Sequence, residues 1–258
     1  MTSSVSQAAD AVRDSPVLRW GARLGYAASG LLHLVMGWIA FEVAWGSTGQ
    51  SADQTGALAN LAGTGSGSLL LWVVAIAFAL LALWQLTEAL ARRKVVDRAK
   101  AAGKFGLYAF LSWTAVTVVE GRSTGSGDTS GMTAAIMAES YGRLLIAAVG
   151  LGVVGVGLYH VVKGWRRKFL GDLREHPGAW LVRAARVGYV AKGIALGVVG
   201  GLFVAAAATA DPEKSEGLDG ALRSLMQAPL GQALLTLIAL GLAAYGVYSF
   251  GRARYARV

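Results

Sequence analysis

Residues 142–163 read GRLLIAAVGLGVVGVGLYHVVK, and the same design recurs without a gap 75 positions earlier and 89 positions later. The earlier shift pairs Gly142 with Gly67, Ile136 with Leu61, Tyr159 with Trp84, His160 with Gln85 and Lys163 with Glu88. The later shift pairs Gly142 with Gly231, Ile136 with Leu225, Tyr159 with Tyr248, His160 with Ser249 and Lys163 with Arg252. Each copy is a long apolar run closed by an aromatic and then a charge, or a polar substitute for it. That is how a membrane-spanning helix looks where it leaves the bilayer.

Composition agrees with this reading. Of 258 residues, 55% are hydrophobic and only 15% charged, too little polar surface to cover a soluble core. The absence of cysteine excludes a disulfide framework, thiolate metal sites, iron–sulfur clusters and cysteine nucleophiles. The first 19 residues, MTSSVSQAADAVRDSPVLR, hold no apolar core of secretory-signal type, so residues 1–15 read as a mobile cytoplasmic tail. Asp14, Ser15 and Pro16 form a helix-start signal, a capping side chain followed by proline in the first turn.

Six spans follow, at about 24–43, 68–88, 104–120, 143–163, 187–209 and 230–251, grouped as repeats over 16–94, 95–170 and 171–258. Leu24 to Phe41 carries no formal charge, and its 18 residues rise roughly 27 Å, close to the hydrocarbon thickness. The third span is the shortest, with an apolar run of 15 residues from Phe105 to Val119, and needs the stem of Lys104 or a thinned bilayer to cross. Lys192, near the beginning of the fifth span, is expected to snorkel back to the headgroups.

The net charge of +9 has a topological explanation. Of 24 Lys and Arg, 20 lie in the amino-terminal segment, around the loops after spans two and four, and at the carboxyl terminus. Only Arg122, Arg143, Lys214 and Arg223 lie in the other three loops, which places both termini in the cytoplasm by the positive-inside rule. The basic clusters are short and carry no nucleic-acid-binding module, so no nucleic-acid partner is expected. Each of the three poorly basic loops is polar and rich in small residues (GSTGQSADQTG, GRSTGSGDTSG, DPEKSEGLDG) and leads into a weakly apolar segment (GALANLAG, MTAAIMAES, GALRSLMQ). These segments are expected to form short interfacial helices before each even span, or partly ordered loops.

The odd spans also match one another. Arg23-Leu24-Gly25-Tyr26 recurs as Arg186-Val187-Gly188-Tyr189, and in the middle copy as the divergent Lys104-Phe105-Gly106-Leu107. With this opener, the three hairpin copies and the ending Gly-Leu-x-Ala-Tyr-Gly-x-Tyr at Gly241 to Tyr248, the chain resembles the bacterial membrane-protein family called domain of unknown function 1206 over about residues 18–255. The resemblance implies a three-repeat, six-span architecture, and the protein is expected in the bacterial cytoplasmic membrane. It supplies no activity, cofactor or catalytic residue to carry over.

The fold class is therefore all-α integral membrane, with six transmembrane helices. An even number of spans per repeat makes the three two-helix repeats parallel, related by a pseudo-threefold axis along the membrane normal. Gly193, Gly197 and Gly201 line one face of span five as a candidate packing stripe.

No Ser/His/Asp arrangement, HExxH pattern or phosphate loop is present, and Glu42 and Glu120 sit at span ends where a solvated carboxylate is ordinary. The chain is not expected to be an enzyme, and no cofactor or metal site is expected. His33 and His160 fall at comparable depth, which leaves a haem protein as a remote alternative. The main functional classes are a non-catalytic scaffold or partner subunit, meeting anionic lipid or another membrane protein, and a small-solute or ion translocator with its path on the axis. The middle thirds of the spans are aliphatic and glycine, which favours the first. Threefold symmetry would bring Glu88, Lys163 and Arg252 to one level, with Gln85, His160 and Ser249 one turn deeper, as a polar closure on the cytoplasmic side.

Overall fold

The computed structural model describes residues 16–46, 49–91, 94–121, 129–215 and 217–257. The amino-terminal tail with Asp14 and Ser15, Arg122 and most of the loop GRSTGSGDTSG lie outside the described residues. The described residues fold into nine α-helices: α1 (Pro16–Trp45), α2 (Gln54–Ala62), α3 (Gly67–Ala91), α4 (Val95–Val119), α5 (Thr129–Met137), α6 (Gly142–Trp165), α7 (Ala179–Thr209), α8 (Leu218–Met226) and α9 (Gly231–Tyr255). Six of them, α1, α3, α4, α6, α7 and α9, are long and apolar enough to cross a membrane. At 1.5 Å per residue the shortest, 24 residues, is roughly 36 Å long, more than the hydrocarbon core requires. The chain is a multi-pass membrane protein.

Local chemistry sets the helix ends. Pro16, with its fixed φ and no N–H to waste, stands first in α1. The third long helix begins at Val95, well before the span expected from about residue 104. Its early turns hold Asp97, which suits the helix amino terminus, an Asp97–Lys100 pair at 3.9 Å and the helix-prone run Ala99 to Ala102. Arg98, Lys100 and Lys104, expected in or beside a loop, therefore sit on helix.

The three short helices α2, α5 and α8 each lead into a long one through the same joint. Thr64 N–H donates to Leu61 O (3.2 Å) and Gly67 N–H to Thr64 O (2.9 Å). Glu139 and Gly142 do the same to Ile136 O and Glu139 O (3.1 and 2.9 Å), and Ala228 and Gly231 to Leu225 O and Ala228 O (3.1 and 2.8 Å). A Cβ on Gly67, Gly142 or Gly231 would collide with the last carbonyls of the preceding short helix, Leu61 O, Ile136 O and Met226 O respectively. This explains why the glycine recurs with an aliphatic residue six positions before it.

The chain divides into two compact units, one of Met1–Leu31, Leu58–Thr124 and Ser249–Val258, the other of Leu32–Ala57 and Gly125–Tyr248. In the first, the amino-terminal half of α1 lies on α3, where a Cβ on Gly25 would stand 2.6 Å from Leu81 Cβ and 2.9 Å from Ala77 O. Helices α3 and α4 pack through side chains: Ser112 Oγ donates to Ala75 O (2.9 Å), and Phe78 stacks on Tyr108 with centroids 6.0 Å apart.

In the second unit, α6 and α7 meet backbone to backbone along an antiparallel seam. A Cβ on Gly150 would lie 2.8 Å from Gly200 O, one on Gly157 2.7 Å from Gly193 O, and one on Gly164 3.0 Å from Arg186 O. The spacing is seven residues on both helices, the period that keeps one seam facing a partner when two helices wind slightly about each other. Helix α7 also packs on α9, where a Cβ on Gly188 would be 2.5 Å from Tyr245 N, and the second half of α1 packs on α9 at Gly37, 2.8 Å from Ala239 O on the same measure.

Candidate functional site: a lysine–histidine contact under a tyrosine cluster

Within the second unit, α1, α7 and α9 each bring one side chain to a point between apolar helices. His33, 5% exposed, comes from α1, Lys192 from α7 and Tyr245 from α9. Lys192 Nζ lies 2.9 Å from His33 Nε2 and 4.4 Å from the centroid of the Tyr245 ring, and the His33 and Tyr245 rings are 4.6 Å apart. An ammonium has three donors and no acceptor, so Lys192 donates and the Nε2 lone pair of His33 accepts. The tyrosine face adds an attraction that grows with desolvation. Lys192 thus does not snorkel to the headgroups as the sequence led us to expect. It lies roughly 9 Å along the helix from Arg186, and a partner at that depth satisfies it better than a stretched stem.

Next to this contact stands a layer of aromatic rings. Tyr189 of α7 and Tyr245 and Tyr248 of α9 meet Phe169, which comes from the 3-10 turn Lys168–Asp172 and is fully buried. Tyr189 is 5.6 Å from Phe169 in stacked geometry, 5.2 Å from Tyr245 edge-on and 5.5 Å from Tyr248. Lys163 lies beside the layer, its Nζ 5.3 Å from the Tyr189 centroid and 2.6 Å from Asp172 Oδ2. His160 turns Nδ1 to its own helix, 2.8 Å from Val156 O; since a carbonyl only accepts, Nδ1 carries the proton.

Among the residues expected to form a polar closure, Gln85, Glu88, Ser249 and Arg252 belong to the first unit and His160 and Lys163 to the second. Gln85 and Ser249 are buried and Glu88 is half-buried. Two aligned cations share one environment: Arg252 lies 4.0 Å over the ring of Tyr26, and Lys163 lies over that of Tyr189, the aligned tyrosine of the next odd helix. The third set differs on both sides at once, with Glu88 in place of the cation and Leu107 in place of the tyrosine.

The candidate packing stripe is shifted in phase. A Cβ on Gly193 would lie 2.6 Å from Gly157 O and one on Gly200 2.6 Å from Gly150 O, whereas a Cβ on Gly197 or on Gly201 meets nothing within 4 Å, although Gly197 N lies 2.9 Å from a Cβ built on Gly157. Steps of four run ahead of the helical period, and the seven residues from Gly193 to Gly200 return to one face.

A second polar group lies around α2 and α8. Asp219 Oδ1 accepts from Ala52 N–H (2.8 Å) and its Oδ2 from Arg223 Nε (2.9 Å), while Arg223 reaches Gln50 O at 2.7 Å. Asp53 accepts from Gly56 N–H at 2.8 Å as the cap of α2. Burial, with the Asp219 carboxylate adding to it, raises the pKa of Asp53 above its ordinary value despite that hydrogen bond.

The Lys192–His33 contact was not legible as a pair in the sequence, because the residues are 159 positions apart. The signal that marked it was an ionisable residue inside each of two spans, which in lipid demands a partner. Nothing in the sequence singled out Phe169.

The comparisons with known proteins bear on the whole chain. No solved structure matches it. It is similar to the uncharacterized protein YxxB of Bacillus subtilis (strain 168), 29% identical over 252 residues that cover 93% of this chain and 91% of that one. The model of one family matches three times, over residues 24–92, 99–167 and 187–256, each match taking in two long helices and the short one between them. With most of its length matched in triplicate, the chain belongs to the family described as Domain of Unknown Function (DUF1206).

Proposed function

We propose that this protein is a non-catalytic scaffold or partner subunit of the bacterial cytoplasmic membrane, and not a route for solutes. The observation that carries the reading is how its intramembrane polar groups are used. Lys192 meets His33, His160 bonds Val156 O, and Thr87, Thr114 and Thr117 bond carbonyls of their own helices at 2.8, 2.9 and 2.9 Å. These are contacts that fix helices against each other or quiet a side chain, and a conducting path needs polar atoms turned towards the solute instead. The backbone-to-backbone seam between α6 and α7 adds support.

The proposal includes an orientation with both termini in the cytoplasm, supported by the distribution of basic residues. The basic ends would then face anionic lipid or a membrane-protein partner. A pseudo-threefold relation among the repeats is also part of it, supported by the recurrent joint and by the two aligned cation–tyrosine contacts.

Proteoliposomes loaded with a panel of cations, anions and amino acids test the main point. Efflux equal to that of protein-free vesicles is expected, and saturable flux of any solute would overturn it. For orientation, the cysteine-free chain accepts single reporters at exposed sites. Ser140→Cys and Gln227→Cys should react with an impermeant thiol reagent outside intact cells, and Lys100→Cys and Arg174→Cys should not.

A further inference from the structure

A groove of about 550 Å³ runs between α7 and α9 in the second unit, and its two ends differ sharply in chemistry. At one end stand Arg183 and Arg186, one helical turn apart, with Trp165. The Arg186 guanidinium lies 5.7 Å from the centroid of the Trp165 ring. Beyond them the wall is aliphatic, with Val190, Ile194 and Leu237 among its residues. Leu237 is 65% exposed, so the groove opens sideways, away from the helices, along its length.

From the geometry we propose that this groove holds one anionic phospholipid, its phosphate on the two arginines and an acyl chain along α7. Three features fix the class of ligand. The α7 positions 183, 186, 190 and 194 follow the helical period, so they form one continuous face. From Arg183 to Ile194 that face rises roughly 16 Å, about half of the hydrocarbon thickness and therefore one leaflet. Two cations beside a tryptophan at the head of an apolar slot form a headgroup-level site, where guanidiniums pair with phosphate oxygens and the indole lies at the water boundary. A soluble anion would use the arginines and leave the slot bare. A zwitterionic phospholipid would fill the slot and offer its phosphate, but its own headgroup cation offsets that charge and leaves the two arginines only partly compensated. A lipid with net negative charge uses the slot and compensates both cations. The site stands whether or not the chain conducts.

The full chain, purified in mild detergent, is titrated with phosphatidylglycerol, with phosphatidylcholine of the same acyl chains, and with inorganic phosphate. Binding is read by native mass spectrometry and by the shift in melting temperature. Phosphatidylglycerol should give a retained one-to-one adduct and raise the melting temperature; the other two should do neither. The double variant Arg183→Gln, Arg186→Gln should weaken that binding on the order of tenfold or more. Ile194→Trp fills the slot and keeps both cations, so it should weaken binding too, and it serves if the arginine variant does not fold. Equal binding of the two lipids, a matching shift with phosphate alone, or wild-type affinity in a folded variant would each overturn the assignment.

Discussion

The glycine that opens the first long helix of each repeat is buried in repeats one and three and bare in repeat two. A Cβ on Gly25 would press on Leu81 and Ala77 of α3, and one on Gly188 on the backbone of Tyr245 in α9, whereas one on Gly106 meets nothing within 4 Å. The same contrast runs along the helices. In α1, α3 and α9 50% of the apolar window is buried, but in α4 only 22% and in α6 only 17%. In the middle repeat most of each apolar window is therefore exposed. Repetition in the sequence specifies the helices and the joint that feeds each even span, but it does not specify equal interfaces.

The largest expected effect tests this inequality directly. Gly188→Val forces a branched side chain against the Tyr245 backbone and should lower stability in detergent by about 1–3 kcal/mol or more. Gly106→Ala should leave stability unchanged or raise it by up to about 1 kcal/mol, since a helix-interior glycine with open space around it gains from a methyl. Equal losses at the two positions would erase the distinction between the repeats.

The joint should behave alike in all three copies. Gly67→Ala, Gly142→Ala and Gly231→Ala each push a Cβ into a carbonyl of the preceding short helix, and each should lower the melting temperature by a similar amount. A copy that tolerates alanine would show that its joint is not shared.

A smaller effect is expected where the repeats differ in charge. Glu88→Lys installs the cation found in the other two copies, but the opener that aligns with it carries Leu107 and Lys104, with no tyrosine. Without an aromatic face the substitution should lower the melting temperature, and pairing it with Leu107→Tyr should restore part of the loss. Simple additivity of the two changes would mean that the cation and the tyrosine are not a matched pair.

The smallest effect concerns Asp53. Its folded-state pKa is raised above the ordinary 3.8, so the folded chain holds its proton more tightly than the unfolded one. Its contribution is therefore unpenalised below that ordinary value and is lost as pH rises from there through the folded pKa. Asp53→Asn keeps an acceptor for Gly56 N–H and should flatten that decline, with the gain over wild type present at neutral pH and absent in acid. A variant that follows the wild-type profile would sink this account of Asp53.

How much of this was legible follows from whether the cause was local. The six long helices were, and the short segments before even spans were marked as helix or partly ordered loop, because apolar runs are properties of neighbouring residues; the recurring glycine and aliphatic residue were visible, but not the joint they form. The beginning of α4 at Val95 was obscured because a hydropathy reading takes a basic segment for a loop, while helix propensity, an early-turn aspartate and an i,i+3 pair make it helix. The phase of the α7 stripe depends on which face α6 occupies, and no residue of α7 states that. The Lys192–His33 contact joins helices distant in the chain, and nothing in the residues around Lys192 distinguishes a partner across the bundle from the snorkelling expected of it.

That contact is also where the account is most exposed, since it holds that ionisable groups inside the spans serve to join helices. The direct measurement is a double-mutant cycle on unfolding free energy in detergent, with His33→Leu, Lys192→Met and both together. We expect each single change to cost about 1–3 kcal/mol by stranding its partner, and the pair to cost less than the sum by more than about half a kcal/mol. Strict additivity would contradict the claim, because it would mean that the two side chains lie 2.9 Å apart without holding α1 to α7.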